Sequence, residues 1–258
     1  MNDVNGYVAR MNKSIDYKKF WFDKVDPDKF DRIIDFGCGD GTLGIEVLTD
    51  SKFAGKEVVF YETSPVMRKL IKGKVLMLPE NYVERATVIS NYELLKPLLQ
   101  HKRTLIVFSS VLHECYTFDT LPFKWTDLKC NYIVIRDMHG GDTRAKFSVV
   151  DRWKIFWHSR KSAFFDFFKR NDFSDQSCLH FLMKHLYEDN WNTEVLENYF
   201  AVPWHEIELD LVAFGPYKIS HARKYNIPFL INYSKEHFGV EYNFYTHKDA
   251  IYERDNND

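Results

Sequence analysis

Five short apolar runs, each followed by a stretch long enough to hold a helix, dominate the first half of this chain. They are Arg32-Ile33-Ile34-Asp35-Phe36, Glu57-Val58-Val59-Phe60-Tyr61, Ala86-Thr87-Val88-Ile89, Thr104-Leu105-Ile106-Val107-Phe108 and Tyr132-Ile133-Val134-Ile135. The runs are continuous rather than alternating. That pattern suits strands buried on both faces of a parallel sheet. Parallel neighbours need long crossovers, and the intervening segments are long enough to supply them as helices. Right-handed crossovers repeated along the chain predict an α/β, doubly wound, mainly parallel sheet. One helix start is well marked. Ser64 offers a capping hydroxyl before Pro65, and Val66, Met67, Leu70 and Ile71 then fall on one face.

The pattern changes after Ile135. From about Val149 to Phe200 no strand run occurs, and the segment reads as helical. Strand-like material returns at Gly239–Tyr245 and Ala250–Tyr252, which predicts a hairpin at one sheet edge. A chain of 258 residues fits one domain. The expected parts are an N-terminal helical cap (1–30), a ligand-binding core (31–148), a helical insertion (149–204) and C-terminal strands that complete the sheet (205–258).

Composition narrows the function classes. A net charge of −2 gives no global basic field for nucleic acid or an anionic membrane. No apolar stretch reaches the roughly 20 residues a membrane helix needs, and the first residues lack the pattern of a signal peptide. Cys38, Cys115, Cys130 and Cys178 form no CxxC pair, and no Cys/His cluster has zinc-finger spacing, so no metal ligands are expected. Free thiols fit a reducing, cytoplasmic compartment.

The first run leads into Asp35-Phe36-Gly37-Cys38-Gly39-Asp40-Gly41. Glycines let the backbone turn sharply and approach a ligand, and a helix beginning near Thr42 would aim free N–H groups at it. A tight turn with no ligand is the plainer alternative. Spacing sorts the ligands. The dinucleotide fingerprint GxGxxG is broken, because the third glycine comes one residue early and Thr42 holds its place. No GxxxxGK[ST] phosphate loop is present.

An acidic residue followed by GxGxG resembles the first motif of class I S-adenosylmethionine (SAM)-dependent methyltransferases. The chain also resembles a narrower bacterial and phage group of that superfamily over nearly its full length. The likeness lies in Tyr7–Ser14, Asp35–Leu43, Ser109–Glu114, Ile133–Met138, His180–Lys184, Asn190-Trp191, Glu197-Asn198-Tyr199 and Thr246-His247. One departure is Asp40, where the group more often has alanine. The resemblance implies a Rossmann-like fold and SAM as the cofactor. Gly37, Cys38, Gly39 and Gly41 would lie along the ligand, with Asp35 holding the methionine amino group. Glu62, at the end of the second strand and next to Thr63, would accept from both ribose hydroxyls. Asn91 would meet the adenine edge, and Ser109 and Ser110 would lie near the transferable methyl. Tyr7–Ser14 would fold over the site, bringing Arg10 to the methionine carboxylate.

Methyl transfer relies on alignment and on exclusion of water, and an oxygen or nitrogen acceptor can also need a base. His113 is the first candidate, with Glu114 beside it; a buried structural histidine is the alternative. Adjacent helical residues diverge, so the two are not expected to act as a direct pair. Arg136 and Asp137 would bind substrate or form a salt bridge with each other. His139 and Asp142 are lesser substrate candidates. The insertion carries an aromatic stripe that includes Trp153, Trp157, Phe164, Phe167 and Phe168, flanked by Arg152, Arg160 and Lys161. It reads as a packed amphipathic pair, or as a lid able to stack an RNA base. Ser109-Ser110-Val111-Leu112 differs from the [DNS]-PP-[YFW] motif, and no Pro-Cys pair occurs, which argues against the common DNA methyltransferases. The expected activity is methyl transfer to an O or N atom of a small molecule or an RNA nucleotide. The alternative is an inactive SAM-binding or nucleic-acid-binding partner subunit.

Overall fold

The structure is a computed structural model that describes residues 4–140, 146–159 and 165–255. Its centre is a seven-stranded sheet in the order β3-β2-β1-β4-β5-β7-β6. The strands are β1 (Arg32–Phe36), β2 (Glu57–Tyr61), β3 (Ala86–Ile89), β4 (Thr104–Ser109), β5 (Tyr132–Met138), β6 (Tyr217–Tyr225) and β7 (His247–Arg254). β1 to β5 are mutually parallel, with Ile34 of β1 opposite Val59 of β2 and Ile106 of β4. β7 runs antiparallel to both β5 and β6.

The first half has helices α1 (Val4–Asn12), α2 (Ile15–Lys18), α3 (Thr42–Thr49), α4 (Pro65–Leu76), α5 (Glu80–Val83), α6 (Tyr92–Leu99) and α7 (Leu112–Thr117). The insertion forms α8 (Val149–Ser159), α9 (Phe165–Arg170), α10 (Asp175–His185) and α11 (Trp191–Glu194). α12 (Trp204–Glu208) precedes β6, and α13 (Pro228–Phe238) joins β6 to β7. No helix among the described residues is long and apolar enough to cross a membrane.

The continuous apolar runs have a direct structural reason. Successive side chains on a strand face opposite ways, so each run supplies two cores at once. Ile34, Phe36, Val59, Tyr61, Ile106 and Phe108 pack on one face with α6 and α7. Ile33, Val58, Phe60, Leu105, Val107 and Val134 pack on the other with α3, α4, Trp21 and Phe53. β3, at the sheet edge, is only partly covered. α4 begins where the sequence marked it, with the Ser64 side chain accepting from the Met67 N–H. Its buried face is Met67, Ile71 and Val75, whereas Val66 points to solvent.

The C-terminal part differs from expectation. An antiparallel pair does sit at that sheet edge, but its first member is Tyr217–Tyr225, and a helix rather than a turn connects the two strands. Gly239–Tyr245 forms no strand. Its alternation is real, since Val240 and Tyr242 are buried and Glu241 and Asn243 exposed. That side-chain period is satisfied against the separate aromatic core of the insertion, with Phe147, Phe167 and Phe181. An extended segment can bury every second residue without a hydrogen-bonding neighbour.

Close approach of α3 to the sheet needs Gly44. A Cβ there would stand 2.3 Å from the Phe60 ring. Gly44→Ala should therefore cost about 1–3 kcal/mol through forced repacking, despite alanine's better helix propensity. Urea unfolding checks this, and an unchanged midpoint would show that the α3–β2 contact yields freely.

Candidate functional site

The crossovers reverse direction between β1 and β4, and the strand ends part there. Ligands of doubly wound sheets bind in that crevice, beyond the carboxyl ends of the strands. A cavity of about 510 Å³ opens at this point. The size lies within the usual range for small-molecule sites.

One half of the cavity is built by the glycine loop. Gly37, Gly39 and Gly41 all adopt positive φ (65°, 56° and 76°). Gly37 and Cys38 donate their N–H groups to the Tyr61 carbonyl, which folds the loop over the end of β2. A Cβ on Gly37 would lie 2.2 Å from Val111, so the loop also packs against the start of α7. Glu62 follows β2 and grips the loop. One of its oxygens accepts from Gly39 N–H at 2.9 Å, and the other from Ser64 N–H at 2.7 Å. Each oxygen keeps a further lone pair for a ligand donor. Burial pushes the Glu62 carboxyl up, against the amides that hold it down.

Asp35 lies beneath the loop. Burial raises its pKa to about 7, although the Lys18 ammonium opposes the shift. Its Oδ2 is buried without a hydrogen-bond partner. Lys18, at the end of α2, is lowered to about 8 by burial and by the Arg136 charge. Both residues line the cavity. Asp40 turns the other way. It accepts from Asn12 at 3.2 Å and from the Thr42 hydroxyl, and it pairs with Lys74. The residue that departs from the resembled group therefore ties α1, α3 and α4 together.

The other half is polar and acidic. β4 ends at Ser109 and Ser110, and Ser110 has φ 59°, a sparsely populated conformation for a non-glycine residue. Ser110 N–H donates to the Arg136 carbonyl at 2.7 Å, and Arg136 Nη1 donates to the Ser110 hydroxyl. Ser109 Oγ and Arg136 Nη2 are buried with no hydrogen-bond partner. Arg136 Nε donates to the Tyr225 hydroxyl at 2.9 Å. Asp137, next on β5, faces the opposite side, as strand neighbours must. Its Oδ2 receives the N–H groups of Val111 (3.0 Å) and Leu112 (2.7 Å), and its Oδ1 lies 2.7 Å from His113 Nδ1. Arg136 and Asp137 therefore form no salt bridge with each other.

His113 is buried, and its Nε2 points toward Glu197 Oε2 at 3.8 Å. Burial works against its charge, but the Asp137 carboxylate outweighs it and pushes the imidazole up to about 10. Burial also raises Glu114 to about 7. Glu194 stands nearby, accepting from the Tyr199 hydroxyl, and Lys184 donates to the Glu194 carbonyl. The cavity thiols are inert by environment. Burial holds Cys38 well above the ordinary thiol range and Cys115 at about 11.

The cavity brings together Asp35, Gly37, Cys38, Gly39, Glu62 and Thr63 with Ser109, Ser110, His113, Glu114 and Arg136. Others fall elsewhere. Asn91 caps α6, with its side chain accepting from Glu93 N–H, and is exposed rather than facing the crevice. Gly41 is spent on the turn into α3, with its would-be Cβ direction filled by Ile71 and Phe60. Arg10 is not on the cavity wall, but it lies near enough for its charge to act on Tyr187, which is. Neither Asp137 nor His139 lines the cavity, and the His139 N–H pairs with the Thr246 carbonyl. Trp153 is exposed and packs edge-on against Phe156, away from the site. Asp142, Arg160, Lys161 and Phe164 lie outside the described residues. Lys18, Tyr187, Glu194 and Glu197 were not singled out as site residues. Of these only Glu197 carried a signal, as part of the resembled Glu197-Asn198-Tyr199, which carries no role with it.

The sheet order, with β7 antiparallel between β5 and β6, decides the fold. It is a Rossmann-like, doubly wound and mainly parallel sheet. No protein-family model matches the chain, and no curated protein does. Several solved structures are similar. The methyltransferase domain of bacterial CtHen1 is 11% identical, with 98% of this chain and 99% of that one covered and a TM-score of 0.43. The plantazolicin methyltransferase BamL, in complex with a triazolic desmethylPZN analogue and S-adenosylhomocysteine, is 12% identical over 94% of this chain and 85% of that one, with a TM-score of 0.44. The [4+2]-cyclase SpnF is 10% identical over 94% and 81%, with a TM-score of 0.49. The chemistry of this chain is read from its own cavity.

The His113–Asp137 contact has a pH signature. The imidazole pKa rises from 6.5 to about 10 on folding, so its stabilisation is fully present below about pH 6.5 and is lost as pH rises toward 10. Urea melts from pH 6 to pH 10 should show a steeper loss for the wild type than for His113→Gln. Parallel curves would mean that the imidazole carries no such linkage.

Proposed function

We propose that this protein is a SAM-dependent methyltransferase whose acceptor is a hydroxyl or amine of a small molecule. The observation that carries the reading is the clamp of Glu62 on Gly39, set beside the orphaned Asp35 oxygen at the sheet's switch point. The cavity suits the cofactor's chemistry. Glu62 retains lone pairs for the two ribose hydroxyls, Asp35 Oδ2 is a bare acceptor for the methionine ammonium, and the glycine loop presents backbone where a nucleoside must pass closely. When bound, SAM supplies a methyl group activated by its sulfonium charge.

This chain's residues do the rest. Asp35 would hold the methionine ammonium of the cofactor and Glu62 its ribose hydroxyls. Arg136, with Nη2 free of hydrogen bonds and a cavity wall position, is placed to hold a carboxylate or carbonyl oxygen. Glu114 is the group at the acceptor end able to take a proton, while His113, held protonated by Asp137, supplies positive charge beside it. The surrounding wall excludes water and aligns the acceptor, which is the main contribution such a reaction needs. The acidic wall of Glu114, Glu194 and Glu197 argues against an RNA acceptor, because it would repel backbone phosphates. The exposed position of Trp153 points the same way, since that ring cannot stack a base inside this cavity.

Calorimetry with S-adenosylhomocysteine tests the reading. Micromolar binding is expected. Glu62→Ala should weaken it about tenfold or more, the cost of losing hydrogen bonds to a charged group. Absence of binding by the wild-type protein would end the proposal. Binding without transfer of a labelled methyl group to any metabolite pool would favour the inactive partner subunit instead.

A further inference from the structure

His113, Glu114 and Glu197 come from two distant parts of the chain and meet at one point of the cavity wall. One ligand-capable atom from each lies within 4.8 Å of the others. His113 and Glu114 begin α7, while Glu197 arrives from the segment after α11. We propose that these three side chains form a binding site for one divalent first-row transition cation, facing the acceptor end of the cavity.

Carboxylates often gather without a metal, so the argument rests on the imidazole. His113 is only 3% exposed, and its Nδ1 is held by Asp137 at 2.7 Å. A carboxylate behind Nδ1 orients the ring and presents Nε2, which gives up its proton when a metal binds, as a ligand, the arrangement metal-binding histidines almost always have. Nε2 faces Glu197 Oε2 at 3.8 Å, too far for a hydrogen bond. That spacing is suited to an ion lying between the two atoms, since ligand bonds to such cations are about 2 Å each. The Asp137 carboxylate is itself held by four backbone N–H groups, those of Val111, Leu112, His113 and Met138, so the imidazole has little freedom to swing away.

The charge balance agrees. Glu114, Glu194 and Glu197 surround the point, and Lys184 is packed among them. Lys184 is already engaged with the Glu194 carbonyl and lies 4.0 Å from the centre of the Tyr199 ring. Glu194 in turn takes the Tyr199 hydroxyl. Glu114 and Glu197 are thus left facing the imidazole. One nitrogen and two carboxylate ligands, with positions open to the cavity, suit Mn²⁺, Fe²⁺ or Zn²⁺ better than Mg²⁺, because imidazole favours the transition metals. If the methyltransferase reading holds, on which this role rests, the open positions would hold the acceptor oxygen and lower its pKa.

The test is metal binding itself, measured on the full chain after removal of metals with a chelator. Mn²⁺ alone is titrated and its free concentration followed by electron paramagnetic resonance, with a parallel Zn²⁺ titration by calorimetry. One equivalent should bind with micromolar affinity. Glu114→Gln and Glu197→Gln, near-isosteric changes that spare the His113–Asp137 contact, should each weaken binding about tenfold or more. Both variants should retain wild-type thermal melting in the absence of metal and wild-type affinity for S-adenosylhomocysteine. No saturable binding of either ion, or binding undiminished in both variants, would overturn the site. Failure of the wild type to bind S-adenosylhomocysteine would count against the methyltransferase reading alone and leave the metal titration interpretable.

Discussion

The buried carboxylate of Asp137 organises everything on the acceptor side of this molecule. It gathers three successive backbone N–H groups at the start of α7 and holds the His113 ring with its other oxygen. A charge taken wholly out of water is costly unless fully paired. Here burial alone would push the carboxyl up, but the His113 charge and the amides bring it below the usual range. Helix N-termini favour negative charge, so the carboxylate, α7 and the imidazole stabilise one another. Replacing such a partner would leave a buried charge uncompensated, at about 3–5 kcal/mol. The same contacts join β5 to the segment after β4, on the acceptor side of the cavity.

Much of this architecture was legible in the sequence because its signals are local. Continuous apolar runs marked the five parallel strands, Ser64-Pro65 marked α4, and the spacing of Gly37, Gly39 and Gly41 separated this loop from dinucleotide and phosphate loops. Each miss has its own physical reason. Asn91 carries a side chain suited both to a base edge and to a helix cap, and the nearer backbone partner, Glu93 N–H, claimed it. Gly239–Tyr245 has the period of a strand, but the period reports which side chains are buried and not what the backbone pairs with. Trp153 belongs to an apolar stripe whose buried members, Ile155 and Phe167, face a core inside the insertion, which leaves Trp153 outward. Glu194 and Glu197 had no local pattern at all. Only the return of the chain from α10 brings them against α7.

The insertion therefore shapes the site in an unexpected way. Its aromatic helices build their own core, and the part that reaches the cavity is the polar segment that follows them, together with Met183 and Tyr187. The two halves of the cavity differ in kind as a result. The glycine-loop half is mostly backbone, held in shape by positive φ angles and by Glu62. The acceptor half is side chains, drawn from β4, β5, α7 and the segment around α11. The first half admits little variation in sequence, whereas the second can change its chemistry by exchanging a few residues.

The place of β7 bears on how the molecule assembles. It lies between β5 and β6 and pairs with both, so β6 has no neighbour in the sheet until β7 is in position. β6 carries Lys218, Arg223 and Lys224 among exposed positions, which keeps an unpaired strand from sticking to another molecule. β6 therefore reaches the sheet only through β7, with or after the pairing of β7 on the β5 edge. The β5–β7 pairing joins segments distant in sequence, and contacts of that kind form slowly.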